Sequence, residues 1–199
     1  MKKCIIVGAC KDSQKEFSYT DEDFIIASDG GLEFLKAHNY RVDLVVGDFD
    51  SLKYIPKEGR YLLLNPIKDI TDTHASIEYG VKKGYTNFEI YGCIGGRIDH
   101  SFAIIQDAYG FKLKGYEVII HTSNQKIVFL KNDKMEIEKK NGYISIFAYG
   151  VAKGVTLKNL KYELDDKILR NNFPLGVSNE FINKKATIEV KNGCLVIIY

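Results

Sequence analysis

Four short apolar runs in this chain of 199 residues end in acidic residues, and that pattern restricts the fold more than any other feature of it. The segments are Phe24-Ile25-Ile26-Ala27-Ser28-Asp29, Leu44-Val45-Val46-Gly47-Asp48-Phe49-Asp50, Leu62-Leu63-Leu64-Asn65-Pro66-Ile67-Lys68-Asp69-Ile70-Thr71-Asp72 and Ile90-Tyr91-Gly92-Cys93-Ile94-Gly95-Gly96-Arg97-Ile98-Asp99. If the runs are neighbouring parallel strands, every carboxylate emerges at one edge of one sheet. Open α/β sheets bind ligands at the carboxyl ends of their strands, so the pattern describes a crowded acidic site rather than scattered surface charge. Carboxylates packed that closely require cations.

Up to about residue 122 the chain alternates strand and helix. Strands are expected over 3–7, 24–27, 43–46, 61–64, 88–91 and 117–121, and helices over 31–38, 71–83 and 100–114. In the last helix Phe102, Ile105 and Tyr109 fall on one face at i, i+3 and i+7, with Ala108 beside them. Such alternation means a mostly parallel sheet with helices on its faces, a three-layer α/β domain over 1–122. Beyond Ser123 the runs 126–130, 134–138, 143–148, 186–190 and 194–199 are separated by turn signals at Asn132-Asp133, Asn141-Gly142 and Asn192-Gly193. Those are hairpin connections, and 123–199 reads as a smaller all-β domain that needs the first domain or a partner subunit for stability.

Composition narrows the class. Hydrophobic residues make up 45% of the chain, enough for real cores, and 28 basic against 26 acidic residues leave a net charge of +2 with no basic arm or acidic tail. Neither nucleic acid nor membrane binding is advertised. Cys4, Cys10, Cys93 and Cys194 form no C-x-x-C pair, so a zinc site is not expected. No signal peptide is visible and no run reaches the roughly 20 apolar residues of a membrane span, which points to the cytoplasm with thiols reduced.

Gly47-Asp48-Phe49-Asp50-Ser51 is the strongest local signal. Two carboxylates at i and i+2 in extended chain point the same way and can share a hard cation, and the serine hydroxyl can join that shell or a phosphate. A turn with incidental acids reads equally well when the segment is taken alone. Lys68-Asp69-Ile70-Thr71-Asp72 opens a helix that Thr71 can cap, and its free amides favour an anion; Asp72 by itself suits any helix first turn. Gly95-Gly96-Arg97-Ile98-Asp99-His100 joins strand to helix with glycines that allow close backbone approach and an arginine that can fork onto phosphate. Asp29-Gly30-Gly31 is either a plain turn or a phosphate-facing one, and no P-loop or Rossmann glycine pattern is present. Together these elements bring at least five acids, one arginine and one lysine to one edge, the charge types of a magnesium-nucleotide site.

These motifs, with Gly176-Val177-Ser178-Asn179-Glu180-Phe181 near the end, stand in the order and spacing of the thiamine pyrophosphokinases, also called thiamine diphosphokinases, and the chain resembles that family over essentially its whole length. The resemblance implies an α/β domain followed by a β-sandwich. It implies transfer of a diphosphate group from ATP to the hydroxyl of thiamine, giving thiamine diphosphate and AMP. It further implies Mg²⁺, and a homodimer whose sites are shared between the α/β domain of one subunit and the β domain of the other. Carried over residue by residue, Asp48, Asp50 and Asp72 are the implied metal ligands, with Asp99 and Arg97 close to the reacting phosphates. Asp29, Gly30, Ser51, Lys68, Asp69, Thr71, Arg97 and Asn124 are the implied nucleotide contacts, and Ser178 and Asn179 the implied thiamine contacts. Asp72 or Asp99 is the candidate acceptor of the hydroxyl proton.

The chain departs from the family pattern at Ile104, where an Asn is frequent, and at His74, where an acid is common. Having no tryptophan, it must build any aromatic wall for thiamine from Tyr or Phe, with Phe181 a candidate. A diphosphokinase acting on a pterin alcohol, a DxD glycosyltransferase and a Mg-nucleotide-binding module without turnover are the competing readings.

Overall fold

The computed structural model describes residues 2–48, 60–65 and 70–199. Asp50, Ser51, Lys68 and Asp69 lie outside the described residues. The chain divides into two compact units, Met1–Asn124 and Gln125–Tyr199.

The first unit runs β1 (Cys4–Val7), a 3₁₀ turn (Lys11–Ser13), β2 (Phe24–Ser28), α1 (Gly31–Ala37), β3 (Leu44–Gly47), β4 (Tyr61–Leu63), α2 (Asp72–Lys82), β5 (Asn87–Tyr91), α3 (Ile98–Leu113) and β6 (Glu117–His121). Its strands pair in parallel in the order β6-β5-β1-β2-β3-β4. Strands β1 and β3 are buried at every position, as strands covered on both faces must be. Alternation then sorts their side chains. Ile5, Val7, Ile25, Ala27 and Val45 pack with Leu32 and Leu35 of α1, whereas Cys4 and Phe88 point to the opposite face, where Gly80 of α2 lies against them.

The strand order reverses at β1. The chain moves to β2, β3 and β4 on one side, then returns to β5 and β6 on the other. The carboxyl ends of β1 and β5 are therefore the switch point of the sheet, where open α/β folds place their crevice.

Helix α3 turns a different face inward from the one its apolar spacing suggests. Ile104, Ala108 and Phe111 are buried, whereas Phe102 is 58% exposed. Both stripes obey helical periodicity, and the sheet selects the one that fits.

The second unit contains β7 (Lys126–Lys131), β8 (Lys134–Glu138), β9 (Tyr143–Ala148), β10 (Val151–Lys158), β11 (Leu164–Arg170), β12 (Asn179–Glu180), β13 (Lys185–Glu189) and β14 (Cys194–Ile198). They form two antiparallel sheets, β12-β9-β14-β7 and β11-β10-β13-β8. The sheets meet where β10 lies on β14 and β11 on β9. Asn132, Gly142 and Gly193 all have positive φ, as the turn signals require. Strands β10, β11 and β12 are not apparent in the sequence. A register shift on either side of Val155, next to Gly154, breaks the alternation of β10, and β11 is largely exposed and charged.

Candidate active site

Four strand ends of the first unit meet around one cavity of about 750 Å³. Gly8, Ala9 and Cys10 follow β1; Ser28 and Asp29 close β2; Asp48 follows β3; and Gly92, Cys93, Gly95, Gly96 and Arg97 follow β5. The first turns of α2 and α3 complete the wall with Thr71, Asp72, Thr73, His100 and Ile104.

Glycine makes that convergence possible. A Cβ on Gly31 would stand 1.8 Å from the Val7 carbonyl oxygen, and one on Gly8 would stand 2.5 Å from that of Gly92. The Gly8 amide donates to Tyr91 O at 2.8 Å and the Cys10 amide to Gly92 O at 2.7 Å, extending the β1–β5 pairing past the strand ends. The 3₁₀ turn then pins the second loop. Ser13 is 1% exposed; its hydroxyl accepts from the Ile94 amide at 3.1 Å and donates to Ile94 O at 2.5 Å.

Asp29 occupies the left-handed region at φ 48°, and its amide donates to Val46 O at 2.7 Å. That conformation brings it beside Gly47, where a Cβ would come within 3.3 Å of its own. Asp29 Oδ1 is buried and has no hydrogen-bond partner among the described residues. A buried acceptor without a donor is costly, which makes this oxygen a candidate acceptor for a cation or a ligand hydroxyl.

The starts of α2 and α3 differ. Thr71 caps α2, its hydroxyl accepting the His74 amide at 3.0 Å. Arg97 at the start of α3 makes no side-chain cap; its guanidinium instead holds Asp99 at 2.5 Å, and both side chains are about two-thirds exposed. That ion pair pulls the Asp99 carboxyl down to about 2. Asp99 stands outside the cavity lining while Arg97 is part of it. Thr71 and His74 also meet Asp107 of α3: His74 Nδ1 lies 2.7 Å from Asp107 Oδ1, and the Thr71 hydroxyl donates to Asp107 Oδ2 at 3.4 Å. The bond from Asp107 raises the His74 pKa against the opposing effect of burial.

Of the residues expected at the site, Asp29, Asp48, Thr71, Asp72 and Arg97 share the cavity; Gly30 caps α1 just behind Asp29. Asn124 is exposed at the end of the first unit and does not line the cavity. Of the three expected metal ligands, Asp48 and Asp72 line the cavity together, and Asp50 lies outside the described residues. The loop Gly8–Ala9–Cys10 escaped sequence reasoning because it carries no charge. The glycine directly after the apolar run Cys4–Val7 is the signal that could have found it. His100 is also on the wall.

In the second unit Ser178 is exposed at φ 55°, its amide donating to Ser145 Oγ at 3.1 Å. Asn179 is 2% exposed, and its amide is occupied internally: Oδ1 accepts the Tyr162 amide at 2.9 Å and Nδ2 donates to Tyr162 O at 2.8 Å. Phe181 is 7% exposed in a bridge to Leu160, too enclosed to serve as the open aromatic wall expected of it. Two exposed rings flank this segment: Tyr162, 60% accessible, whose backbone Asn179 holds, and Tyr143, 62% accessible, opposite Glu180.

The chain is similar to known proteins over nearly its whole length. The family model for thiamin pyrophosphokinase, catalytic domain, matches residues 18–120, and that for thiamin pyrophosphokinase, vitamin B1 binding domain, matches 131–195. A thiamine pyrophosphokinase of Bacillus subtilis is 27% identical over 98% of this chain and 96% of its own length. The crystal structure of thiamine pyrophosphokinase from Bacillus subtilis shares the fold with a TM-score of 0.89 at 23% identity, covering 100% of this chain and 98% of that one. A thiamin pyrophosphokinase family protein from Enterococcus faecalis follows at 0.85 and 22%, covering 98% and 97%. With the catalytic-domain match alone spanning more than half of the 199 residues, the chain belongs to the thiamin pyrophosphokinase family and is an enzyme of that type.

Proposed function

We propose that the chain transfers the β,γ-diphosphate of ATP to the hydroxyl of thiamine at the carboxyl edge of its parallel sheet, releasing AMP, with a divalent cation held by Asp48, Asp50 and Asp72. The observation that carries this reading is the single cavity in which Asp29, Asp48, Asp72 and Arg97 arrive from four different loops. The donor set fits a hard cation: the acids supply oxygen ligands alone, and the buried unpaired oxygen of Asp29 adds an acceptor beside them. When bound, Mg²⁺ would neutralise the polyphosphate and polarise it for attack.

The chain's own residues do the positioning. The uncapped amides in the first turns of α2 and α3 face an anion, and Arg97, released from Asp99, can fork onto phosphate oxygens. Lys68, Asp69, Ser51 and Gly30 are proposed nucleotide contacts on the same edge, with Asn124 nearer the adenosine. Asp29 accepts from a ligand hydroxyl or a metal-bound water. Asp72 or Asp99 takes the thiamine hydroxyl proton as the bond to the β-phosphorus forms and the bond to the α-phosphate oxygen breaks. Such a reaction depends on orientation and charge stabilisation more than on covalent participation by the protein.

The first unit, residues 1–122 in the sequence reading, carries nucleotide and metal. The second, 123–199, carries thiamine and the dimer contact. Ser178 meets thiamine directly, whereas Asn179 acts by clamping Tyr162, whose exposed ring serves as the aromatic wall. The match of 131–195 to a vitamin B1 binding domain favours thiamine over a pterin alcohol. Among the described residues no helix is long and apolar enough to cross a membrane, and we place the enzyme in the cytoplasm as a homodimer with shared sites.

Incubation with Mg-ATP and thiamine should yield AMP and thiamine diphosphate together, dependent on the metal. Formation of ADP, or of no product, rejects the reading. Asp50→Asn should lower turnover by about three orders of magnitude with the fold intact.

A further inference from the structure

The first turns of α2 and α3 both line the cavity, yet they come from connections at different points of the sheet. A site formed by two helix starts works only if their separation is fixed to a fraction of an ångström. One side chain of α3 reaches both ends of the α2 cap. Asp107 lies one turn beyond the cavity residue Ile104, which is 4% exposed. Its Oδ1 is 2.7 Å from His74 Nδ1, which donates to it, and its Oδ2 accepts from the Thr71 hydroxyl at 3.4 Å. The same Thr71 oxygen accepts the His74 amide at 3.0 Å, closing a ring of hydrogen bonds around the helix cap.

The ring is enclosed. The His74 and Asp107 side chains are 22% and 20% exposed, and the imidazole packs at 5.2 Å from Phe111, itself 3% exposed. Among the described residues two other charged groups act on His74: Glu78, whose carboxylate is 3.7 Å from Nε2, and Lys114, whose positive charge opposes protonation. Neither His74 nor Asp107 lines the cavity, but Thr71 and Asp72, fixed by the ring, both do. Rotation of Thr71 away from Asp107 would shift the amides of Asp72 and Thr73 relative to those at Arg97 and His100.

From this geometry we infer that His74 and Asp107 are positioning residues for the nucleotide, a clip that holds the α2 start in register with the α3 start and so determines how tightly the polyphosphate is gripped. The inference rests on the nucleotide reading proposed above. A helix clip with no bearing on the ligand would stabilise the fold and nothing more; a positioning clip predicts a selective effect on the nucleotide.

The test uses the full-length enzyme with Asp107→Ala, His74→Ala, the double variant, and the conservative Asp107→Asn and His74→Gln, each of which keeps a hydrogen-bonding group in place. Steady-state kinetics with varied Mg-ATP, then with varied thiamine, are read beside thermal midpoints. The alanine variants should raise KM for Mg-ATP about tenfold, the worth of one charge-assisted hydrogen bond, with kcat and KM for thiamine changed less than about threefold. The double variant should be no worse than either single one, because one ring is broken in all three. The conservative variants should restore most of the affinity, and they remain informative if the alanine variants do not fold. An unchanged KM for Mg-ATP beside a lowered thermal midpoint overturns the inference, as do additive effects in the double variant. A wild-type enzyme that fails to make AMP from Mg-ATP and thiamine would instead reject the underlying nucleotide reading, so the two failures are distinguishable.

Discussion

The parallel sheet of the first unit carries carboxylates in two settings. At its carboxyl edge Asp29, Asp48 and Asp72 line an open cavity, and Asp29 Oδ1 is buried without a partner among the described residues. Within one face of the same sheet, Glu89 of β5 is fully engaged. Its oxygens meet Lys3 Nζ at 3.1 Å, Tyr91 Oη at 2.5 Å and His121 Nε2 at 3.2 Å, and His121 stacks on Tyr91 at 4.2 Å. The bond from His121, with those from Tyr91 and Lys3, lowers the Glu89 carboxyl from 4.5 to about 2 despite its burial. One cluster supplies its own cations and donors and so contributes to stability. The other leaves one buried acceptor, Asp29 Oδ1, without a donor among the described residues. Acids of the two kinds should respond oppositely to neutralisation.

The largest effect should come from Asp72→Asn. Removing a proposed metal ligand while keeping shape and the helix cap should lower kcat on the order of a thousandfold, with the thermal midpoint shifted little. Activity within tenfold of wild type would remove Asp72 from the metal shell.

Glu89→Gln should do the reverse, leaving kcat nearly intact and destabilising the fold by roughly 2 kcal/mol. Because the folded carboxyl is depressed from 4.5 to about 2, its stabilisation is complete above about pH 4.5 and is lost as pH falls through that range. The full linkage amounts to at most about 3 kcal/mol. Denaturant titrations at pH 7 and pH 3 should therefore show a wide gap between wild type and variant at the higher pH and a gap narrowed by about half at the lower, closing only below about pH 2. An equal gap at both values would show that the network acts through packing and not charge.

The same contrast explains how much was legible in the sequence. Acids directly after apolar runs exposed the parallel sheet and most of the polar wall of its cavity, because strand direction fixes where such residues emerge. The uncharged loop Gly8–Ala9–Cys10 was invisible to a search for charge, although it forms the switch-point side of the cavity. Glu89 and His121, separated by 32 positions in the chain (121 − 89), meet only through β5–β6 register, which no local pattern records. Asn179 was legible as a motif residue but not in its orientation: the amide turns inward to the Tyr162 backbone, while the Tyr162 ring stays accessible.

Asn179→Ala would leave the Tyr162 N–H and carbonyl without their partners in a nearly closed environment, costing about 1–2 kcal/mol. If the clamp positions the aromatic wall, KM for thiamine should rise with that for Mg-ATP unchanged, and Tyr162→Phe should be almost neutral while Tyr162→Ala reproduces the loss. Equal changes in the two KM values would mean that Asn179 supports the unit as a whole.

The smallest effect on stability, and the sharpest separation of the two kinds of acid, belongs to Asp29→Asn. Asparagine tolerates the left-handed backbone that Asp29 adopts at φ 48°, so the turn into α1 should survive. The substitution removes one charge from the cavity that Asp48 shares and replaces an oxygen without a partner among the described residues, so stability should stay within about 0.5 kcal/mol of wild type or rise slightly. Activity should fall all the same, by about tenfold to a hundredfold in kcat/KM for Mg-ATP, because the acceptor reserved for the ligand is altered. Gain in stability with loss of turnover is the signature of a group held in an unfavourable state for function. A destabilised Asp29→Asn enzyme of normal kcat/KM would move Asp29 into the structural class with Glu89, and the contrast between edge and face would then rest on Asp48 and Asp72.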